Sequence, residues 1–520
     1  MNDRLHISLR TKVMPGMRSF VSGIKSVKAI QWVWHLFVPF LFVSVVFLFF
    51  HSRGRFEFDT DEGINLIKAL LVEKGYPLYS KVWSDQPPLL TYLLALGIHF
   101  FGYRVEVARN IVFLLSLGLL WAAFEFVQLN WKRSYAYAGC LLIFLLPKYL
   151  VLSLSVMVGL PSISLAMISL LFLALWHKKR RYFWLILSAI FMSLSTLTKL
   201  MIGFLVPIFV IGILVAEYVR FRSTSNWRNL LLPAAVWSAF FVAIFMGTST
   251  VVIGPSNISQ LLENHLEMTK IQYYANPQFT INYHLKESWP FLFLAIPGTI
   301  FAVRSRRWDI LYLAAWLITA YILLLFYQPV WYHHQLYVTI PAAILGGIAV
   351  VEGIDLCLQV VHKHYNPDRM GWVRVLSLAG TLFAVFLLVR APEPITVLSG
   401  PPSLKTTGLG LGGKTEKIYL SMHDFAPQTH WVVTDLPMFA FRAGLPVPPE
   451  IAVITEKRLY TGHLTEAQIL DALIEYQPEQ VLFGRFILPG LDDYLETNYS
   501  LVLSKNNLRL YIRNDLLHSQ

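Results

Sequence analysis

The sequence predicts a polytopic, all-α membrane domain of about eleven spans, followed by a small water-soluble α/β domain. Three observations lead there. Of the 520 residues, 56% are hydrophobic and only 14% charged, with a mean hydropathy of +0.54, whereas an ordinary soluble chain is about a quarter charged. Apolar runs long enough to cross a bilayer alternate with compact basic clusters. From about Pro392 the chain turns polar, and short strand-like and helix-like patterns replace the long apolar runs. The two cysteines, Cys140 and Cys357, lie in or beside apolar runs and imply no disulfide framework and no thiolate metal site. The formal net charge of +12 is concentrated between spans. Anionic lipid and insertion machinery favour that placement, so the excess charge reads as topology and not as nucleic-acid binding.

Taken in order, the chain opens with a basic stretch, and no small-residue cleavage site follows the apolar run 29–50, which reads as a retained first span over 31–50. A polar loop over 52–104 follows, and its apolar segment 89–101 is too short for a span and suits the interface. Further spans are expected over 105–129, 135–152, 160–176, 182–197, 201–218, 230–253, 289–303, 310–327, 336–351 and 373–389. With the N-terminus in the cytoplasm, strict alternation puts every dense basic cluster inside: Lys132-Arg133, 178–181, 220–228, 304–307 and 363–374. The loop 52–104, Lys199, the loop 252–288, the turn 328–335 and the C-terminus then face outward. The transmembrane domain is therefore read as 1–391, with 392–416, rich in Pro, Gly, Ser and Thr, as a linker. Over 417–520, strands are expected at 431–435, 480–483 and 508–512. Helices are expected at 464–476, after a threonine cap, and at 488–499.

Carboxylates gather in the first outward loop: Asp59, Asp61, Glu62, Glu73 and Asp85 lie between two apolar runs. Asp61-Glu62-Gly63 combines an acidic pair with a glycine that frees the backbone, and Gln86-Pro87-Pro88-Leu89 aims the next segment back at the bilayer. Together with Ser84-Asp85, Phe101-Gly102 and Glu106-Val107-Ala108-Arg109, these motifs resemble the first outer loop of the polyprenyl-phosphate-sugar-dependent membrane glycosyltransferases of family 39. That group includes the protein O-mannosyltransferases and the lipid A aminoarabinose transferases.

The resemblance implies a C-type glycosyltransferase fold and inverting transfer of a sugar from a polyprenyl-phosphate donor to an envelope glycan, lipid or protein acceptor. It places that reaction at the outer face of the cytoplasmic membrane, and no nucleic acid takes part. Asp61 then serves as general base, with Glu62 holding it or raising its pKa, although both also suit the N-terminus of a helix over 64–73. Lys199, in Thr198-Lys199, and Arg109 are the expected donor-phosphate cations, while Lys199 also fits a side chain snorkelling to the headgroups. Asp85, Gln86 and the turn Tyr332-His333-His334 complete the expected binding set, the last also fitting an aromatic interface belt. These residues require no metal, and a divalent ion bridging Asp61, Glu62 and phosphate is compatible with them. Two departures stand out: Gln86 occupies a place where the aminoarabinose branch has lysine, and 153–162 has no acidic residue where several relatives do. The competing class is a transporter or flippase of a lipid-linked or polar substrate. Such folds expect charges at mid-membrane or matched broken helices, whereas here the notable polar residues crowd one edge.

Overall fold

Apolar runs become helices in a bilayer because hydrocarbon offers backbone amides no partner, and only a helix satisfies them within one segment. In the computed structural model, residues 27–49, 56–221, 227–268, 276–362, 371–390, 413–505 and 507–517 are described. Helix α1 (Val27–Phe49) leads to the loop carrying α2 (Thr60–Glu73) and α3 (Leu89–Phe101). There follow α4 (Val105–Asn130), α5 (Arg133–Phe144), α6 (Tyr149–Leu154), α7 (Gly159–Lys179), α8 (Tyr182–Thr196), α9 (Leu205–Phe221) and α10 (Trp227–Thr248). A second loop holds α11 (Ile258–Met268) and α12 (Pro277–Leu285). Helices α13 (Trp289–Arg304), α14 (Leu311–Phe326), α15 (Leu336–Val361) and α16 (Gly371–Arg390) complete the bundle.

Among the described residues, six helical stretches are long and apolar enough to cross a membrane. Four shorter apolar helices lie at Trp34–Leu48, Leu89–Phe101, Tyr182–Thr196 and Trp289–Arg304. The expected span over 135–152 is broken into α5 and α6, with Pro147, which has no amide hydrogen to continue a helix, between them. The span expected to stop at 351 runs on to Val361. Its acid does not end it, because Glu352 accepts hydrogen bonds from Tyr135 Oη (2.8 Å) and Arg374 Nε (3.1 Å). Helix α15 is the centre of the bundle and packs on α5 backbone to backbone: a Cβ on Gly347 would lie 2.3 Å from the Gly139 nitrogen. Small residues permit that approach.

The expected linker 392–416 lies, up to residue 412, outside the described residues. Beyond it come α17 (Gly413–Asp424), β1 (Val432–Thr434), α18 (Pro437–Arg442), α19 (Glu456–Tyr460), α20 (Glu466–Tyr476) and β2 (Gln480–Phe483). The chain continues through α21 (Asp492–Asn498), β3 (Tyr499–Lys505), β4 (Leu508–Arg513) and α22 (Asn514–Leu517). The sheet order is β1-β2-β4-β3, with β1 parallel to β2 and the other pairs antiparallel. Thr465 and Gln468 form a reciprocal cap at the start of α20. The helix expected over 488–499 is shorter: a 3-10 turn at Pro489–Leu491 precedes it, and Tyr499 opens a bulged hairpin strand paired with β4.

One face of this sheet, with Val432, Leu482, Leu510 and Ile512, shares a core with Leu66 and Leu70 of α2 and Phe439 and Phe441 of α18. The other face, with Val433, Val481 and Phe483, packs on Ile469 and Leu473 of α20. Strand alternation produces this division. Helix α2 is therefore covered by the C-terminal layer. Gly63 makes this possible by packing and not by loosening the chain as the sequence suggested: it lies within α2, and a Cβ there would stand 2.6 Å from the backbone nitrogen of Met438.

Candidate active site

The polar face of α2 is fixed at its first turn. Asp59 caps the helix by accepting the Asp61 N–H (2.9 Å), and its other carboxylate oxygen accepts the Tyr332 hydroxyl (2.8 Å). This ties the first loop to the turn before α15. Three residues into α2, Glu62 is fully buried, and each of its oxygens accepts two donors. Oε1 takes Arg109 Nε (2.8 Å) and Val156 N (3.1 Å), and Oε2 takes Arg109 Nη2 (2.8 Å) and Phe58 N (3.0 Å). Arg109 is 4% exposed and stacks 4.7 Å over the Phe58 ring. A bidentate pair of this kind is a positional lock.

Asp61 lies one residue earlier and points elsewhere, into a cavity of about 160 Å³ between the bundle and the C-terminal layer. That is room for roughly five waters, or one sugar ring. Among the described residues no donor engages the Asp61 carboxylate. Burial raises its pKa to about 6, Asp59 and Asp85 push the same way, and Arg485 and Lys199 oppose them. The α2 residues Ile64, Asn65 and Lys68 follow Asp61 into the cavity at helical spacing. Asn65 Nδ2 donates to Val156 O (2.9 Å), and Lys68 is 2% exposed, with its pKa lowered by burial.

Lys199 enters from the junction between α8 and a 3-10 turn at Leu200–Phe204. The same junction accepts the Leu89 N–H through Leu197 O (3.0 Å), so the proline pair brings the first loop onto it. Lys199 Nζ is 3.3 Å from His334 Nε2. The Trp331 backbone N–H donates to His334 Nδ1 (3.2 Å), so a neutral imidazole carries its proton on Nε2 and offers Lys199 no lone pair. Burial lowers the Lys199 ammonium to about 8, partly offset by Asp61.

The C-terminal layer forms the remaining wall. Lys457 Nζ binds Asp85 Oδ2 (3.0 Å), and Arg458 stacks 4.5 Å over the Trp83 ring, which pins residues 453–458 to the first loop. Arg442 donates from Nε and Nη2 to Phe56 O (3.1 and 2.8 Å), and the Phe56 and Phe439 rings are 4.6 Å apart.

The structure thus brings Asp61, Asp85, Gln86, Lys199, His333 and His334 to one cavity. Glu62 and Arg109 are not there: the acid expected beside the base and the cation expected on the donor phosphate neutralise one another. Tyr332 holds Asp59 and does not line the cavity. An ion bridging Asp61 and Glu62 does not fit, since all four acceptor sites of Glu62 are filled. The segment 153–162, without an acid, contributes Met157, Val158 and Gly159 to the wall. Sequence reasoning missed Lys68, Lys457 and Arg485. The i, i+4, i+7 stripe from Asp61 marks Lys68, and no local signal marks the other two.

A family model described as dolichyl-phosphate-mannose-protein mannosyltransferase matches residues 85–246. The match covers about a third of the chain. The matched segment includes Asp85, Gln86, Arg109 and Lys199, while Asp61 precedes it and His333 and His334 follow it. No curated protein matches the chain significantly in sequence. In fold, the chain is similar to ArnT from Cupriavidus metallidurans bound to undecaprenyl phosphate, with TM-score 0.58, 16% identity, and 93% of this chain and 98% of that one covered. The apo state of the same protein gives TM-score 0.58 and 18% identity over the same shares. The archaeal oligosaccharyltransferase AglB from Archaeoglobus fulgidus, in complex with an inhibitory peptide and a dolichol-phosphate, gives TM-score 0.53 and 12% identity, with 94% and 75% covered. The chain shares its fold with these two proteins.

Proposed function

We propose that the chain is an inverting glycosyltransferase that moves a sugar from a polyprenyl-phosphate carrier to a hydroxyl of an envelope glycan, lipid or protein. The reaction takes place at the outer face of the cytoplasmic membrane. The observation that carries this reading is the unengaged Asp61 carboxylate sharing one cavity with the buried Lys199. With a pKa of about 6, Asp61 is ionised at neutral pH and can accept a proton. As the acceptor oxygen bonds to the anomeric carbon, its proton passes to Asp61. The bond from that carbon to the phosphate oxygen breaks, and the polyprenyl phosphate leaves with the electron pair. A single displacement inverts the anomeric centre. Lys199 as ammonium neutralises the departing phosphate.

Several features support the reading: the match to the mannosyltransferase family over residues 85–246, the polyprenyl phosphates bound by the two fold relatives, and basic clusters spaced as expected for a cavity end that faces outward. Residues 417–520 act as an extracytoplasmic domain that walls the site. The test compares purified wild type with Asp61→Asn on a radiolabelled polyprenyl-phosphate sugar. Transfer should fall by about 100-fold or more, with carrier binding retained. Undiminished transfer would remove Asp61 as base, and label crossing vesicles without transfer would favour transport.

A further inference from the structure

The cavity contains a cation that the transfer step above does not use. Arg485 lies on the turn after β2, and the buried Asp435 at the end of β1 fixes that turn. Its carboxylate accepts the three consecutive backbone N–H groups of Gly484 (3.0 Å), Arg485 (2.8 Å) and Phe486 (2.8 Å). The Arg485 guanidinium stands 5.1 Å over the Phe486 ring, which supports its plane. Among the described residues its Nη1 is buried and makes no hydrogen bond. A buried donor without an acceptor is costly, yet the chain spends a buried carboxylate on holding this turn at the cavity.

The residues lining the cavity carry one more cation than acid, and Arg485 also feels the nearby Glu57, Asp61 and Asp435. The lining cations are Lys68, Lys199, Lys457 and Arg485, against the acids Asp61, Asp85 and Glu456, and Lys457 is already committed to Asp85. A planar guanidinium with a free edge matches the oxygens of a phosphoryl group better than a carbonyl or hydroxyl does.

We infer that Arg485 is a phosphate-binding residue of this site, contributed by the C-terminal layer, and that a phosphoryl oxygen of the ligand takes its free Nη1. The inference deepens the sugar-transfer reading and rests on it for the identity of the ligand. The phosphoryl group comes either from the lipid carrier or from a free phosphate ester, and the chemistry at Arg485 is the same for both.

The test uses the purified full chain with three probes: undecaprenyl phosphate, undecaprenol and inorganic phosphate. Arg485→Gln should weaken undecaprenyl phosphate binding by about 10- to 100-fold and abolish competition by inorganic phosphate. It should leave undecaprenol binding and the melting temperature unchanged, while Arg485→Lys recovers part of the loss. In the wild type, phosphate should slow phenylglyoxal modification of Arg485, read by mass spectrometry, which needs no variant to fold. A folded Arg485→Gln protein that binds both phosphates like wild type, or labelling indifferent to phosphate, would overturn the inference. Wild type that protects Arg485 with inorganic phosphate but shows no preference for undecaprenyl phosphate over undecaprenol would keep the residue's role and remove the lipid-linked donor.

Discussion

The proposed base and cation titrate on either side of neutrality, so the site makes a sharp statement about pH. Asp61 is active as carboxylate, above about 6, and Lys199 is active as ammonium, below about 8. The fraction of enzyme with both correct forms peaks near pH 7 at roughly 0.8 and falls to roughly 0.1 at pH 5 and at pH 9. The profile of kcat/KM for the donor, which reports the free enzyme, should therefore be a bell of about that width. In kcat, the bound donor phosphate faces Lys199 and holds its proton, so the alkaline limb should move upward while the acid limb moves little. Lys199→Arg keeps a permanent charge and should remove the alkaline limb of kcat/KM. Lys199→Gln removes a charge that holds Asp61 down, so the acid limb should shift to higher pH. The assay is initial-rate transfer from pH 5 to 10 at constant ionic strength. An alkaline limb that persists in the arginine variant would show that Lys199 is not the group that titrates there, and the assignment of the departing-phosphate cation would fall with it.

Two further predictions concern the frame around the site. Arg109→Ala leaves the buried Glu62 side chain with backbone donors only, and breaking such a pair costs about 3–5 kcal/mol. The melting temperature should drop and transfer should be lost with it, and Arg109→Lys should not rescue either, because one ammonium cannot span both oxygens. A raised KM for donor at unchanged melting temperature would instead return Arg109 to the binding site. Gly63→Ala puts a methyl group 2.6 Å from the Met438 nitrogen, and overpacking of this kind costs about 1–3 kcal/mol. Thermal stability and protease resistance of residues beyond 413 should both fall, and an alanine variant as resistant as wild type would contradict the packing of α18 on α2.

Much of the architecture is legible because a bilayer makes length and hydropathy almost sufficient, as for α4, α7 and α10. It fails where a local exception is settled by a distant partner. Helix α15 runs past Glu352 only because Tyr135 and Arg374 are there to satisfy it, and neither is close in sequence. The site divides the same way. Asp61 and Lys199 stand out as charges where charges are rare. Glu62 and Arg109 stand out equally, but their pairing across 47 positions withdraws them from chemistry, and one-dimensional spacing carries no sign of that. Arg485 and Lys457 reach the cavity from the far end of the chain through sheet packing. Only Tyr499 of β3 falls within the helix expected over 488–499, and the pairing that makes 499–505 a strand comes from β4.

Helix α2 is shared property, since its apolar residues belong to the same core as the sheet of the C-terminal layer. A core held in common melts in common. Calorimetry should find no early transition for residues 413–517 that leaves α2 folded behind it, and a truncation at the linker would leave Leu66 and Leu70 facing water. Whatever tunes the thermal tolerance of that terminal layer tunes the enzyme's working range as well.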